Sequence, residues 1–94
     1  MISEASLRRD YHAAFLGHLF HRDERSLRFG YELGRRAVVE EVSVLDLAIV
    51  HHEVFRQILA ETRSDEVDDV IAAASEFFVE VLATYHMTHG APRT

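Results

Sequence analysis

The tract from Glu24 to His52 constrains the fold more than any other part of the chain. Apolar residues recur in it at spacings of three and four, which is the period of an amphipathic helix. The pattern is interrupted at Ser43, so we predict two helices joined by a tight turn. Residues 77–87 are apolar and aromatic, which predicts the apolar end of a closing helix.

The rest of the chain extends this pattern to an all-α fold. Glycine occurs four times and proline once, and no window shows the period of two that a half-buried strand requires. Asp23, Ser43 and Ser64 are candidate N-caps. We predict four helices, at about residues 3–21, 24–41, 44–62 and 65–89. Their short connections favour an antiparallel up-down four-helix bundle that forms one domain over residues 1–94.

Several apolar residues exceed what a small bundle can bury. Val79 and Ala83 lie off the stripe of the fourth helix, and Phe29 and Val39 lie outside that of the second. Exposed apolar surface of this kind usually marks an interface, so we expect a symmetric homodimer. The residues expected to pack in the core or the dimer interface are Leu27, Tyr31, Gly34, Val50, His51, Phe78 and Tyr85.

Two local patterns on the second helix have simple packing interpretations. Gly30 and Gly34 are four residues apart, which lets another helix approach closely. Arg35 and Arg36 are expected to pair with acids such as Glu32, or with acids of a neighbouring helix.

Composition excludes several classes of function. The formal charge of −6 argues against a surface that follows nucleic-acid phosphates. The absence of cysteine excludes disulfides and thiolate chemistry. No stretch approaches the roughly 20 apolar residues that span a bilayer, and the first twelve residues lack the apolar core of a signal peptide. We therefore expect a cytoplasmic protein without nucleic-acid or membrane partners.

The histidines invite a metal hypothesis that their spacing does not support. His18 and His21 are three residues apart, as are His86 and His89, but no Glu-x-x-His pattern accompanies them. His51 instead fits an inward side chain with a hydrogen-bond partner. No serine or threonine stands in a motif that presents it to a base. We predict no catalytic residue, no cofactor and no metal.

Five short elements occur in a fixed order along the chain. They are Tyr11-His12, Glu24-x-Ser26-Leu27, Arg35-Arg36, Ile49-x-His51 and Glu80-Val81-x-x-x-Tyr85-x-Met87. Over residues 10–89 this order resembles the N-terminal regulatory domain of RsbU, the serine phosphatase of the bacterial general stress pathway. The resemblance implies a dimeric four-helix bundle, grouped structurally with the C-terminal domain of the clock protein KaiA.

The resemblance also implies a function. RsbU-type domains receive a kinase-like switch protein, RsbT, and pass activation to a phosphatase domain in partner-switching control of a sigma factor. Carried over by position, the partner-binding surface includes Glu24 and Arg28 on the second helix and Val79 and Ala83 on the fourth. Arg28 replaces an aromatic residue of some relatives, and Ala83 is smaller than the usual aliphatic residue, which bears on the partner's identity. The chain is either the N-terminal part of a longer phosphatase or a free-standing relative.

Two other interpretations remain open at this point. One is a small bundle that senses a ligand or metal in a pocket among Tyr11, Tyr31, His51 and Tyr85. The other is a purely structural dimerisation element that needs no partner beyond a second copy.

Overall fold

The computed structural model describes residues 4–86, and these contain four α-helices and no strand. The helices are α1 (Glu4–His21), α2 (Glu24–Val39), α3 (Val44–Ala60) and α4 (Val67–Tyr85). The predicted all-α, four-helix fold is therefore confirmed. The helices α2 and α3 end two residues earlier than predicted, and the predicted extension of the last helix over residues 87–89 lies outside the described residues.

Two of the three predicted N-caps, Asp23 and Ser43, cap the helices that follow them. The Asp23 carboxylate accepts a hydrogen bond of 2.8 Å from the Ser26 amide, and the Ser26 hydroxyl accepts one of 3.2 Å from the Asp23 amide. This reciprocal pair is a capping box, which satisfies amides that have no partner within the helix. The Ser43 hydroxyl accepts from the Asp46 amide at 3.0 Å and caps α3 in the same way.

The predicted cap at Ser64 is wrong. Ser64 opens a single 3-10 turn (Ser64–Glu66), and α4 begins behind it at Val67. In that turn the Glu66 amide donates to the Arg63 carbonyl at 2.9 Å. A capping hydroxyl at Ser64 would need an amide two or three residues on, and the turn already uses the first of these.

Consecutive helices run in opposite directions. Arg36 of α2 pairs with Asp10 near the start of α1, whereas Ser26 of α2 meets His18 near its end. The helices α2 and α4, in contrast, run parallel and pack most extensively. The order around the bundle is α1, α2, α4 and α3, so the consecutive helices α2 and α3 occupy opposite corners.

The close contact of α2 with α4 depends on two glycines. A Cβ atom at Gly30 would lie 2.9 Å from the ring of Phe77. At Gly34 it would collide with the carbonyl oxygen of Val81 and with the hydroxyl of Thr84. The predicted close packing through these glycines is therefore confirmed, and it fixes α2 against α4 at backbone distance.

Aromatic and branched side chains from all four helices fill the core. The Phe77 ring lies near its centre, with ring centroids 5.2 Å from Tyr11 and 5.8 Å from Phe15. The buried apolar residues are Leu7, Tyr11, Phe15, Leu33, Ala37, Leu47, Val50, Val54, Ile58, Val70, Ala73, Ala74, Phe77, Val81 and Tyr85.

The buried face of α2 differs from the sequence-based prediction. Leu33 and Ala37 are buried beside the two glycines, whereas Leu27 and Tyr31 are only half-buried. The cause is the close approach of α4, because the small residues of α2 must face it. The larger Leu27 and Tyr31 side chains are thereby turned to the edge of the α2–α4 contact.

Candidate partner-binding site

An open groove runs along the edge of the α2–α4 contact. It has a volume of about 380 Å³. Its lining residues are Glu24, Leu27, Arg28, Tyr31 and Glu80. The groove therefore brings together two residues of the predicted partner-binding set, Glu24 and Arg28, with two that were expected in the core or dimer interface.

The other two predicted partner-binding residues continue this surface along α4. Val79 precedes Glu80 and is 64% exposed, whereas Ala83 follows Glu80 by three residues and is half-buried. Residues three apart on a helix are neighbours, so Ala83 lies one turn beyond the groove wall. Two of the four predicted residues, Glu24 and Arg28, thus line the groove, and Ala83 and Val79 lie beside its wall on α4. We call the groove the α2–α4 groove.

The charged side chains that line the groove have no ion-pair partner in the described part of the chain. Glu24, Arg28 and Glu80 form no ion pair with any residue of the described range 4–86. Exposed rim charges of this kind steer a partner and set its register more than they add affinity. Affinity has to come from apolar contact, which the half-buried Leu27 and Tyr31 and the exposed Val79 offer.

A polar network fixes the corner of the bundle where α2 begins. His18 is 1% exposed, and its Nδ1 lies 2.7 Å from the Ser26 hydroxyl. Its Nε2 donates to the Glu76 carboxylate at 2.9 Å. Arg22 donates to both oxygens of the same carboxylate, at 3.0 and 2.8 Å. These hydrogen bonds, first those from Arg22 and then that from His18, hold the pKa of Glu76 below its usual range.

This network ties the start of α2 to α4, because Ser26 and Glu76 both contact His18. The α1–α2 corner carries Arg22, and Glu76 lies one turn before Glu80 on α4. Sequence reasoning did not identify the partners of His18. The two side chains are 58 residues apart in the chain, and no local pattern links them.

His51 has the hydrogen-bond partner that the sequence predicted. The Tyr11 hydroxyl lies 2.6 Å from its Nδ1, and the Phe78 ring stacks on the imidazole with centroids 3.9 Å apart. Burial first, and then the neighbouring His52, lowers the pKa of His51 to about 4. The imidazole is therefore neutral near pH 7 and accepts the Tyr11 proton at Nδ1.

The residues of the predicted ligand pocket do not converge. The Tyr11 hydroxyl is bound to His51, and the Tyr85 hydroxyl donates to the Val42 carbonyl at 2.7 Å. Tyr31 lies in the α2–α4 groove. These polar groups therefore lie in three separate places, and two of the hydroxyls form internal hydrogen bonds.

The two adjacent arginines of α2 each form an ion pair. Arg36 pairs with Asp10 of α1 at 2.6 Å, and Arg35 lies 3.7 Å from Glu32, so both pair as expected.

Within residues 4–86 no three histidine or acidic side chains are arranged to hold a metal ion, and His89 lies outside this range. In the same range, no helix has the length and apolarity that crossing a bilayer requires.

Exposed apolar surface is concentrated on α3 and α4. Five of the eight large apolar side chains that are exposed within residues 4–86 belong to these two helices: Val44, Leu45, Ile49, Ile71 and Val79. The α3 members all lie in its first two turns. None of these five residues lines the α2–α4 groove.

Comparison with protein families identifies a related family. The family model described as phosphoserine phosphatase RsbU, N-terminal domain, matches residues 9–88. The matched span contains α2, α3 and α4 completely and most of α1. Comparison with curated proteins and with solved structures gave no significant match. The resemblance seen in the five sequence elements is thereby confirmed.

Proposed function

The chain belongs to the family of RsbU N-terminal domains, and on that premise we propose that it binds a kinase-like activator of the RsbT type. Bound activator controls a serine phosphatase, as part of partner-switching stress signalling in the cytoplasm. The family match identifies the non-catalytic, N-terminal region of the phosphatase. The domain therefore acts by binding and not by chemistry of its own.

The observation that carries this proposal is the α2–α4 groove. It combines apolar side chains that the core leaves half-buried with rim charges that have no ion-pair partner in the described residues. An interface needs both parts, an apolar centre for affinity and charges for steering. We assign Leu27, Tyr31 and Val79 to the first part, and Glu24 and Arg28 to the second.

The glycine contact makes this surface rigid. Because Gly30 and Gly34 hold α2 against α4 at backbone distance, the two walls of the groove cannot separate without losing core contacts. A rigid surface binds without the entropic cost of ordering loops. The activator would therefore recognise a preformed site.

We further propose that a second copy of the chain covers the exposed apolar face of α3 and α4. Leu45 is 70% exposed, and Ile49 and Ile71 are about half exposed. A symmetric dimer brings the same patch of both copies together and buries it twice. A dimer formed through Leu45, Ile49 and Ile71 leaves Val79 and the α2–α4 groove of each copy free for the activator.

Titration calorimetry with the kinase-like protein encoded in the same genome tests the assignment of the groove. Val79→Asp should weaken binding by tenfold or more, which corresponds to about 1.4 kcal/mol. The matched control is Val39→Asp, since Val39 is 73% exposed but lies two turns beyond Tyr31, the last α2 residue of the groove lining. Equal binding of both variants and the unaltered chain would exclude the groove as the docking site.

The exposed face of α3 and α4 also favours a second candidate, a dimerisation element that has no other partner. The two candidates differ in one measurement. A dimer that binds no kinase-like protein at micromolar concentration supports the structural element, and binding supports the regulatory domain.

A further inference from the structure

A second concave surface shares no lining residue with the α2–α4 groove. It forms where the C-terminal halves of α1 and α3 meet the start of α4, and its volume is about 350 Å³. The floor is apolar and consists of Leu16, Leu19, Ile58 and Val70. Because three carboxylates border this floor, we call the surface the acid-rimmed cavity.

The carboxylates belong to Glu61, Glu66 and Asp69. None of the three forms an ion pair with a residue of the described range. Arg63 pairs with Asp65 at 3.3 Å, and Arg22 is bound to Glu76 but also acts electrostatically on Asp69. Three carboxylates therefore border the cavity against one histidine, His12, and its rim presents net negative charge.

The sequence concentrates acid at this place. Residues 61–69 contain five acidic side chains and a single arginine, within a chain of formal charge −6. Helix capping accounts for Asp68 and Asp69, which lie in the first turn of α4. It does not account for Glu61, which follows the last residue of α3 at the negative end of that helix.

An aromatic ring stands at the edge of the cavity. Phe20 is 77% exposed, the largest exposure among the large apolar residues of the described range. An aromatic face beside carboxylates suits a cation with an apolar stem, since a guanidinium stacks on the ring while its charge faces the acids. Lysine and arginine side chains have this character.

The rim charges are too exposed to hold a small cation by themselves. Each exposed ion pair contributes only about 0–1 kcal/mol. The cavity is also at the small end of the roughly 300–1,000 Å³ range of ligand pockets. Affinity therefore has to come from apolar area outside the cavity, and the exposed Phe20 provides such area.

We propose that the acid-rimmed cavity is a docking site for a basic, amphipathic segment of a partner protein. An arginine or lysine of that segment lays its stem over Leu16 and Leu19 and presents its charge to Glu61, Glu66 and Asp69. A neighbouring apolar residue of the segment covers Phe20. This second docking site does not depend on the activator bound in the α2–α4 groove.

The test uses the full chain and a synthetic helical peptide that has arginines and leucines on one face. Binding is measured by fluorescence anisotropy. The expected result is saturable binding in the micromolar range that Phe20→Ser and Glu61→Arg each weaken by about tenfold or more. The amides of residues 58–70 should show the largest chemical-shift changes when the peptide is added.

Matched controls separate a specific site from attraction to a negatively charged protein. Glu32→Arg changes the net charge as Glu61→Arg does, and Phe29→Ser removes another exposed ring, but both positions lie on α2. Both should leave affinity unchanged within about twofold. The proposal is overturned if Glu61→Arg and Glu32→Arg have equal effects, or if a peptide with glutamine for arginine binds equally well. It is also overturned if agmatine alone binds as tightly as the peptide.

Discussion

The hydroxyl of Tyr11 on α1 donates a hydrogen bond of 2.6 Å to Nδ1 of His51 on α3. Tyr11 is completely buried, and His51 is half-buried under the ring of Phe78. A buried polar pair specifies how two helices align, because any other alignment leaves both groups without a partner. This pair holds α1 and α3 together.

The pair predicts how stability depends on pH. The pKa of His51 is about 4 in the folded chain, against an ordinary value of 6.5. The unfolded chain therefore binds the proton first as pH falls. The stabilisation is complete above pH 6.5 and is lost progressively between pH 6.5 and pH 4. We expect a loss of about 1–2 kcal/mol, below the full value of the shift because His51 is partly exposed.

Urea unfolding at several pH values measures this loss. The variant His51→Gln keeps a polar side chain but does not titrate, so its stability should change less over the same range. The exposed neighbour His52 provides the control, and His52→Gln should retain most of the dependence. An unaltered slope in His51→Gln would assign the effect to another group.

A glycine-to-alanine substitution should have opposite effects on stability at Gly34, in the α2–α4 contact, and at Gly17, on α1. Gly34→Ala should destabilise the chain by about 3 kcal/mol or more, because the new Cβ meets the Val81 backbone, which cannot move aside as a flexible side chain can. Gly17→Ala should stabilise by about 0.5–1 kcal/mol, since nothing lies within 4 Å of a Cβ there and alanine favours the helix. Thermal unfolding of the two variants measures both signs. Destabilisation by Gly17→Ala would contradict the packing described for α1.

The network of His18, Arg22 and Glu76 predicts a specific loss of stability when the Glu76 carboxylate is removed. In Glu76→Ala, His18 stays buried but loses the acceptor of its Nε2 proton. We expect a loss of about 1–2 kcal/mol, most of it from the unpaired histidine. The control is Glu80→Ala one turn further, because Glu80 forms no ion pair in the described range. Equal stability of the two variants, measured by chemical denaturation, would show that the network contributes little.

The proposed dimer predicts a change of mass in solution. Leu45→Glu places a charge on the exposed face of α3, and an acid in the first turn does not weaken the helix itself. Sedimentation should therefore show a shift from dimer toward monomer with the fold intact. Val39→Glu, on the outer side of α2, should leave the dimer unchanged. A monomeric unaltered chain, or a dimer that Leu45→Glu leaves intact, would exclude this face.

Short-range patterns predicted most of the fold correctly. The features predicted correctly depend on residues within about one turn of each other. They are the caps at Asp23 and Ser43, the close approach at Gly30 and Gly34, and the periods of the four helices. Such signals are present in the chain before it folds. The five family elements are equally local, and their order was enough to identify the family.

Tertiary packing decided what these patterns left open. The close approach of α4 turned Leu33 and Ala37 inward and moved Leu27 and Tyr31 to the α2–α4 groove. Helical periodicity alone does not choose between these adjacent faces, because both carry residues that a core accepts. The pairing of His18 with Glu76 and the acid-rimmed cavity likewise join residues that are distant in the chain. Their positions depend on how the helices rotate and pack, so the amino-acid sequence determined the helices and the tertiary structure determined which of their faces remain available to partners.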